Sequence, residues 1–219
     1  AIGIILPPSE REAFENPFYL EAIRGISQFC NKRQYSNTVI TGRDDQEILQ
    51  VIRTMTRSGQ VDGFILLYSR QKDPIVDYLY SEGLLYVLIG KAYQFANQTI
   101  YIDNDNLLAG REAAEYLYGL GHRRIAYIGS DIRLMFSADR RSGCQLALLE
   151  KGLSLRPEYF AEVHSLSEAG EAPIRQLLQL AERPTAVIVS DDILAVALER
   201  VCLEMGISIP KDLSILSFN

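Results

Sequence analysis

Cysteine is scarce in this chain and histidine scarcer, with three and two among 219 residues. Cys30, Cys144 and Cys202 are odd in number and widely spaced. Cys30 and Cys202 fall on the apolar stripes of expected helices, where a thiol packs as a small hydrophobe. No CxxC or Cys/His spacing of a zinc site occurs, so no metal is expected, and this usage fits a reducing compartment. Long hydrophobic runs are also missing. The longest apolar stretches, such as Leu84 to Ile89, fall far short of the ~20 residues a membrane span needs. The chain opens directly into Ala1-Ile2-Gly3-Ile4-Ile5-Leu6 without a basic segment or cleavage pattern, so a cytoplasmic location is expected. Nor is there a basic tract. The net charge is −6, and Arg123-Arg124 and Arg140-Arg141 are too short to form the electrostatic footprint of a DNA-binding module.

The usual catalytic signatures are lacking too. Pro7-Pro8-Ser9, not GxGxxG, follows the first apolar run, and GxxxxGK(S/T), GxSxG and HExxH are all missing. His122 sits in a turn before an expected strand, where a histidine fixes the turn by hydrogen bonds. His164 lies in another expected strand with nothing near it in sequence to pair with. Asp191-Asp192 stands between a strand and a helix, and two readings are open: helix N-capping, or carboxylates facing a ligand at the strand's carboxyl end. Without a nucleophile, metal set or cofactor motif, no enzyme and no cofactor is expected.

What the chain does have is an ordinary globular composition, 47% hydrophobic and 23% charged, and room for one large domain or two of roughly 100 residues. Short β-branched or aliphatic runs recur: Ile2–Leu6, Thr38–Thr41, Gly63–Leu67, Leu85–Ile89, Ile125–Ile128, Ala186–Val189 and Leu213–Ser217. Each is apolar on both faces, as parallel strands covered by helices must be. Between them lie helical stripes: Tyr19, Ala22, Ile23, Ile26, Phe29 and Cys30; Ala113, Ala114, Leu117 and Leu120; Leu194, Ala197, Val201, Cys202 and Met205. Gly59, Gly83, Gly121 and Gly206 suit left-handed helix caps. This alternation predicts a doubly wound α/β architecture. The polar, irregular stretch from Gly90 to Thr99 predicts two lobes, residues 1–99 and 100–219, with a ligand cleft where the carboxyl ends of the two sheets meet. The chain stops at Asn219, where a βα loop should begin, and reads as a fragment.

One ordered set of strings is more specific. It comprises Ile102-Asp103-Asn104, Ala113-Ala114-Glu115-Tyr116-Leu117 and Gly121-His122-Arg123-Arg124-Ile125-Ala126-Tyr127-Ile128-Gly129, then Arg140 three residues before Gly143. Pro184 through Asp192 and Ile209 through Asn219 complete it. The set resembles the effector-binding core of the LacI/GalR family of bacterial transcriptional regulators over essentially the whole chain. Asn16-Pro17-Phe18-Tyr19, Val87-Leu88-Ile89-Gly90-Lys91 and Ser217-Phe218-Asn219 look most like the maltose-type repressors of Gram-positive bacteria.

The resemblance implies a core similar to periplasmic sugar-binding proteins, homodimerisation, and a small sugar effector such as maltose. It also implies operator DNA held by a helix-turn-helix headpiece, here missing, and a C-terminal portion, also missing, that crosses back to complete the first lobe. By the same resemblance, Phe18 stacks on the effector, with a hydrophobic staple on its helix as the other reading. Arg140 donates fork hydrogen bonds to it, and Asp192, with Asp191 where many members carry Asn, accepts its hydroxyls. Asn219 stands where members commonly carry Asp, and Gly90-Lys91 where some sugar-binding members place Asp. Lys91 then reaches for solvent. Asp103 either lines the cleft or caps the next helix. The competing reading is a sugar-binding protein of a transport system, with the same fold and no DNA partner.

Overall fold

The structure is a computed structural model that describes residues 1–8, 16–153, 156–164 and 170–218. It divides into two compact units, Ala1–Asn104 and Asp105–Asn219. In the first, β1 (Ile2–Ile5), β2 (Asn37–Ile40), β3 (Gly63–Leu66), β4 (Tyr86–Ile89) and β5 (Ile100–Ile102) form one parallel sheet, ordered β2-β1-β3-β4-β5. Helices α1 (Pro17–Asn31), α2 (Asp45–Arg57) and α3 (Pro74–Ser81) connect its strands. In the second, β6 (Ile125–Gly129), β7 (Phe160–Glu162), β8 (Ala186–Val189) and β9 (Ser214–Ser217) form a parallel sheet ordered β7-β6-β8-β9. It carries α4 (Asn106–Gly119), α5 (Met135–Glu150), α6 (Ala172–Leu178) and α7 (Asp192–Glu204). The expected doubly wound α/β architecture is thus present in both units. Ile100–Ile102, assigned from sequence to the second lobe, pairs instead with β4 through Val87, Leu88 and Ile89. The division therefore falls after Asn104.

Strand alternation explains why both faces need helices. In β1 and the residue after it, Ile4 and Leu6 point to the face covered by Tyr19, Ala22, Ile23 and Ile26 of α1. Ile5 points to the other face, against Ile48 and Ile52 of α2 and Ile75 and Leu79 of α3. The same alternation splits β6. Ile125 and Tyr127 pack with Ala114 and Leu117 of α4 and Cys144 and Ala147 of α5. Ala126 and Ile128 pack with Leu177 of α6 and Leu198 and Val201 of α7.

Local chemistry sets the helix ends. Asn16, Asp44, Asp105 and Asp191 each accept a backbone N–H of the first turn at 2.9 Å. The four glycines expected to close helices have φ of +65° (Gly59), +64° (Gly83), +95° (Gly121) and +69° (Gly206). Two stripe positions depart from expectation. Phe29 is exposed, its ring under the Arg33 guanidinium at 3.7 Å. Leu120 is exposed because it is the C-cap of α4, where the helical register ends. Among the described residues, no helix is long and apolar enough to cross a membrane.

Candidate functional site

In the second unit, the carboxyl ends of β6 and β8 lead into Ser130 and Ser190, and β9 leads into Phe218. Arg140, one turn into α5, reaches this edge. Its Nε donates to Oδ1 of Asn106 at 2.8 Å and its Nη1 to the Ser190 carbonyl at 2.5 Å. Asn106 and Ser190 are buried, so two desolvated acceptors fix the plane of the guanidinium. The rings of Phe218 and Phe136 flank it at 4.6 and 5.2 Å.

Asp191 follows Ser190, whose carbonyl holds this arginine. Its Oδ1 accepts the Leu194 N–H and its Oδ2 the Ser190 hydroxyl, both at 2.9 Å. The capping reading therefore holds for Asp191, while Asp192 lies exposed in the first turn of α7. Ser130 donates its N–H to Ser190 Oγ at 3.3 Å and accepts from the Ser137 hydroxyl at 3.1 Å. The Ser130 Oγ is buried and has no hydrogen-bond partner among the described residues. Behind this edge, burial pushes the Tyr127 phenol far above its ordinary range, so it stays neutral. The result is a pre-oriented cation next to carboxylate and hydroxyl oxygens, with aromatic faces alongside. Such a set suits a neutral ligand rich in hydroxyls and with an apolar face.

In the first unit, Phe18 is half exposed, and its ring meets the Tyr19 ring edge-on at 5.4 Å. With Asn16 as N-cap, Phe18 is the second residue of α1. A hydrophobic staple needs the residue before the cap, so that reading of Phe18 fails. Asp103 accepts the Lys91 N–H at 3.0 Å and the Asn104 N–H at 2.9 Å, tying the turn after β4 to the end of β5. It does not cap α4, because Asp105 does. Lys91 is exposed, as expected, and Asn219 lies outside the described residues.

Sequence reasoning missed Asn106, Phe136 and the three serines as site residues. Asn106 lies 34 positions from Arg140, and no short motif connects them. It also missed a buried clamp in the first unit. Arg70 pairs with Asp45 of α2 and, at 3.0 Å, with Asp73 at the cap of α3. Gln94 bonds both backbone groups of Asp73, at 2.9 and 3.0 Å. Burial works against the Arg70 charge, but Asp73 and Asp45 more than reverse it, so its pKa is raised. Gln94 thus joins the polar loop from Gly90 to Thr99 to this clamp. His122 holds its turn as expected, its Nδ1 sitting 2.9 Å from the Thr185 hydroxyl.

Comparison with known proteins bears on this arrangement. A family profile described as a periplasmic binding protein-like domain matches residues 114–219. The HTH-type transcriptional regulator MalR of Streptococcus pneumoniae serotype 4 is 34% identical over 203 residues, covering 92% of this chain and 60% of that protein. The chain thus spans about three fifths of that relative's length. Among solved structures, the transcriptional regulator CelR–cellobiose complex aligns with a TM-score of 0.89 at 27% identity, over 99% of this chain and 66% of that one. A structure described as a LacI transcriptional regulator from Bacillus cereus subsp. cytotoxis NVH 391-98 aligns with a TM-score of 0.94. It is 38% identical, and the match covers 100% of this chain and 77% of that one. Taken with the ordered motifs and the two parallel sheets, this likeness places the chain in the LacI family of transcriptional regulators.

Proposed function

We propose that the chain is the sugar-sensing and dimer-forming core of a cytoplasmic transcriptional repressor. A mono- or disaccharide such as maltose binds at the carboxyl edge of the second sheet and thereby alters the operator affinity of a helix-turn-helix headpiece. The observation that carries this reading is Arg140, held in one plane by Asn106 and Ser190, with the capping carboxylate of Asp191 next in the chain to Ser190. A guanidinium so fixed offers charge-assisted bonds to sugar hydroxyls without first losing side-chain freedom. Support for a disaccharide comes from the likeness to MalR and to CelR, the latter solved with cellobiose. Homodimerisation is supported by apolar side chains left bare on helices: Leu20 of α1, Val196 and Leu203 of α7. The net charge of −6 fits a core that leaves DNA contact to another segment. The effector acts only through different affinities for two states of the protein, so ligand and operator must weaken or strengthen each other reciprocally.

Isothermal titration of the full-length protein with maltose, trehalose, sucrose and glucose tests the proposal. We expect saturable heat with at least one sugar. Arg140→Ala should remove charge-assisted bonds of about 1.5–3 kcal/mol, a loss of roughly 10- to 150-fold in affinity. Unchanged affinity in that variant removes Arg140 from the site, and no heat with any sugar overturns sugar sensing.

A further inference from the structure

The motif arginines Arg123 and Arg124 have no part in the site above. They lie immediately before β6, and Arg156 lies just before the turn Pro157–Tyr159 that leads into β7. In parallel strands this is the amino edge of the second sheet, the end opposite Arg140 and Asp191. A cavity of about 190 Å³ opens there, lined by the three arginines, Tyr159, Leu148 and Leu153, with Ile125 at its base. At roughly 30 Å³ per water molecule, it has room for a phosphate group and part of a carbon skeleton.

Each guanidinium is anchored through one nitrogen. Arg123 donates from Nη1 to the carbonyls of Tyr118 and His122, both at 2.9 Å, and lies 3.8 Å over the Tyr118 ring. Arg124 donates from Nε to the Arg183 carbonyl at 2.9 Å, and Arg156 from Nη1 to Glu182. Their other nitrogens make no hydrogen bond to a described residue. Lys151 adds a further positive charge, over Tyr118 at 5.9 Å. The carboxylates nearby are Glu158, Glu182 and, beside Lys151, Glu150; Glu182 is already paired to Arg156 and Glu150 to Arg111. The Tyr159 hydroxyl is taken up by the Glu182 carbonyl at 2.6 Å, so Tyr159 presents its ring to the cavity as a wall. A chain of net charge −6 therefore concentrates cations around a pocket whose floor, Ile125 and Leu148, is buried and apolar.

We propose that this pocket is a second ligand site, which takes a phosphate monoester of a small organic molecule. Forked guanidinium donors match the acceptor oxygens of phosphate, and the apolar floor and Tyr159 ring receive the carbon part. The inference does not rest on the sugar-sensing reading, since none of its residues belongs to that site.

The test is calorimetric titration of the full-length protein with inorganic phosphate and with a sugar phosphate, at constant ionic strength set by chloride. We expect saturable binding with Kd of about 1 mM or tighter, and tighter binding of the ester than of inorganic phosphate. The double variant Arg124→Gln/Arg156→Gln should lose at least tenfold in affinity, while Arg57→Gln binds the ester as wild type does. A readout without any variant is arginine modification by phenylglyoxal. The ester should protect Arg124 and Arg156 but not the exposed Arg57. Absence of saturable binding, undiminished affinity in the double variant, or equal modification rates with and without the ester would overturn the site. Equal affinity for ester and inorganic phosphate would overturn the assignment to an organic ester.

Discussion

Gly143 of α5 and Leu107 of α4 meet backbone to backbone: a Cβ on Gly143 would stand 2.0 Å from the Leu107 carbonyl oxygen. The contact is reciprocal, since a Cβ on Gly110 would stand 2.0 Å from the carbonyl oxygen of Arg140. Only at this separation does Asn106, at the start of α4, reach Arg140 Nε. The three-residue spacing from Arg140 to Gly143 therefore has a mechanical cause. The arginine points to the sheet edge, and the glycine one turn later lets the helix approach the residue that orients it.

Gly143→Ala should accordingly destabilise the protein by about 3 kcal/mol, at the upper end of overpacking costs, and weaken sugar binding as well. Gly25→Ala in α1 is the control. Nothing lies within 4 Å of its added methyl, so the better helix propensity of alanine should stabilise by about 0.5–1 kcal/mol. Chemical denaturation of both variants checks the pair of expectations.

Asp191 and Asp192 are adjacent and should behave differently. Asp191→Ala removes the cap of α7 and should cost about 1 kcal/mol, whereas Asp191→Asn keeps an acceptor and most of that stability. Asp192→Ala leaves the cap intact and should change stability by no more than about 0.5 kcal/mol while weakening sugar binding. Thermal melts combined with calorimetry separate the two roles.

The outer stripe of α7 carries Val196 and Leu203, 63% and 82% exposed. If this stripe is a dimer contact, Leu203→Glu should shift the full-length protein to monomer mass in light scattering, with the melting temperature of the diluted protein unchanged. A dimer of unaltered affinity would move the interface elsewhere.

Burial pushes the Cys144 thiol up to about 12 and that of Cys202 to about 11. The thiolate is the reactive species, and burial keeps both thiols protonated at pH 8. Neither cysteine should be alkylated by iodoacetamide in the native protein, and both should be after unfolding. Peptide mass spectrometry reads the difference.

Much of this was legible in the chain because the signals are local. Strands covered on both faces must be apolar throughout, so Ile125–Ile128 and Ala186–Val189 announced themselves, as did the helices closed by Gly59 and Gly206. Capping is equally local, and Asp191 was a visible candidate for it. The same string left Phe18 and Asp103 ambiguous, because their roles depend on the register of a helix start and on a strand pairing. The placement of Ile100–Ile102 required the β4 ladder, since three exposed residues carry no pattern of their own. The acceptors that hold Arg140, the Arg70 clamp and the arginine-lined cavity are contacts between residues tens of positions apart. Sequence alone determined which segments become strands and helices, through hydrophobic period and caps; tertiary packing decided which polar groups meet, because hydrogen-bond partners are set by distance in space rather than along the chain.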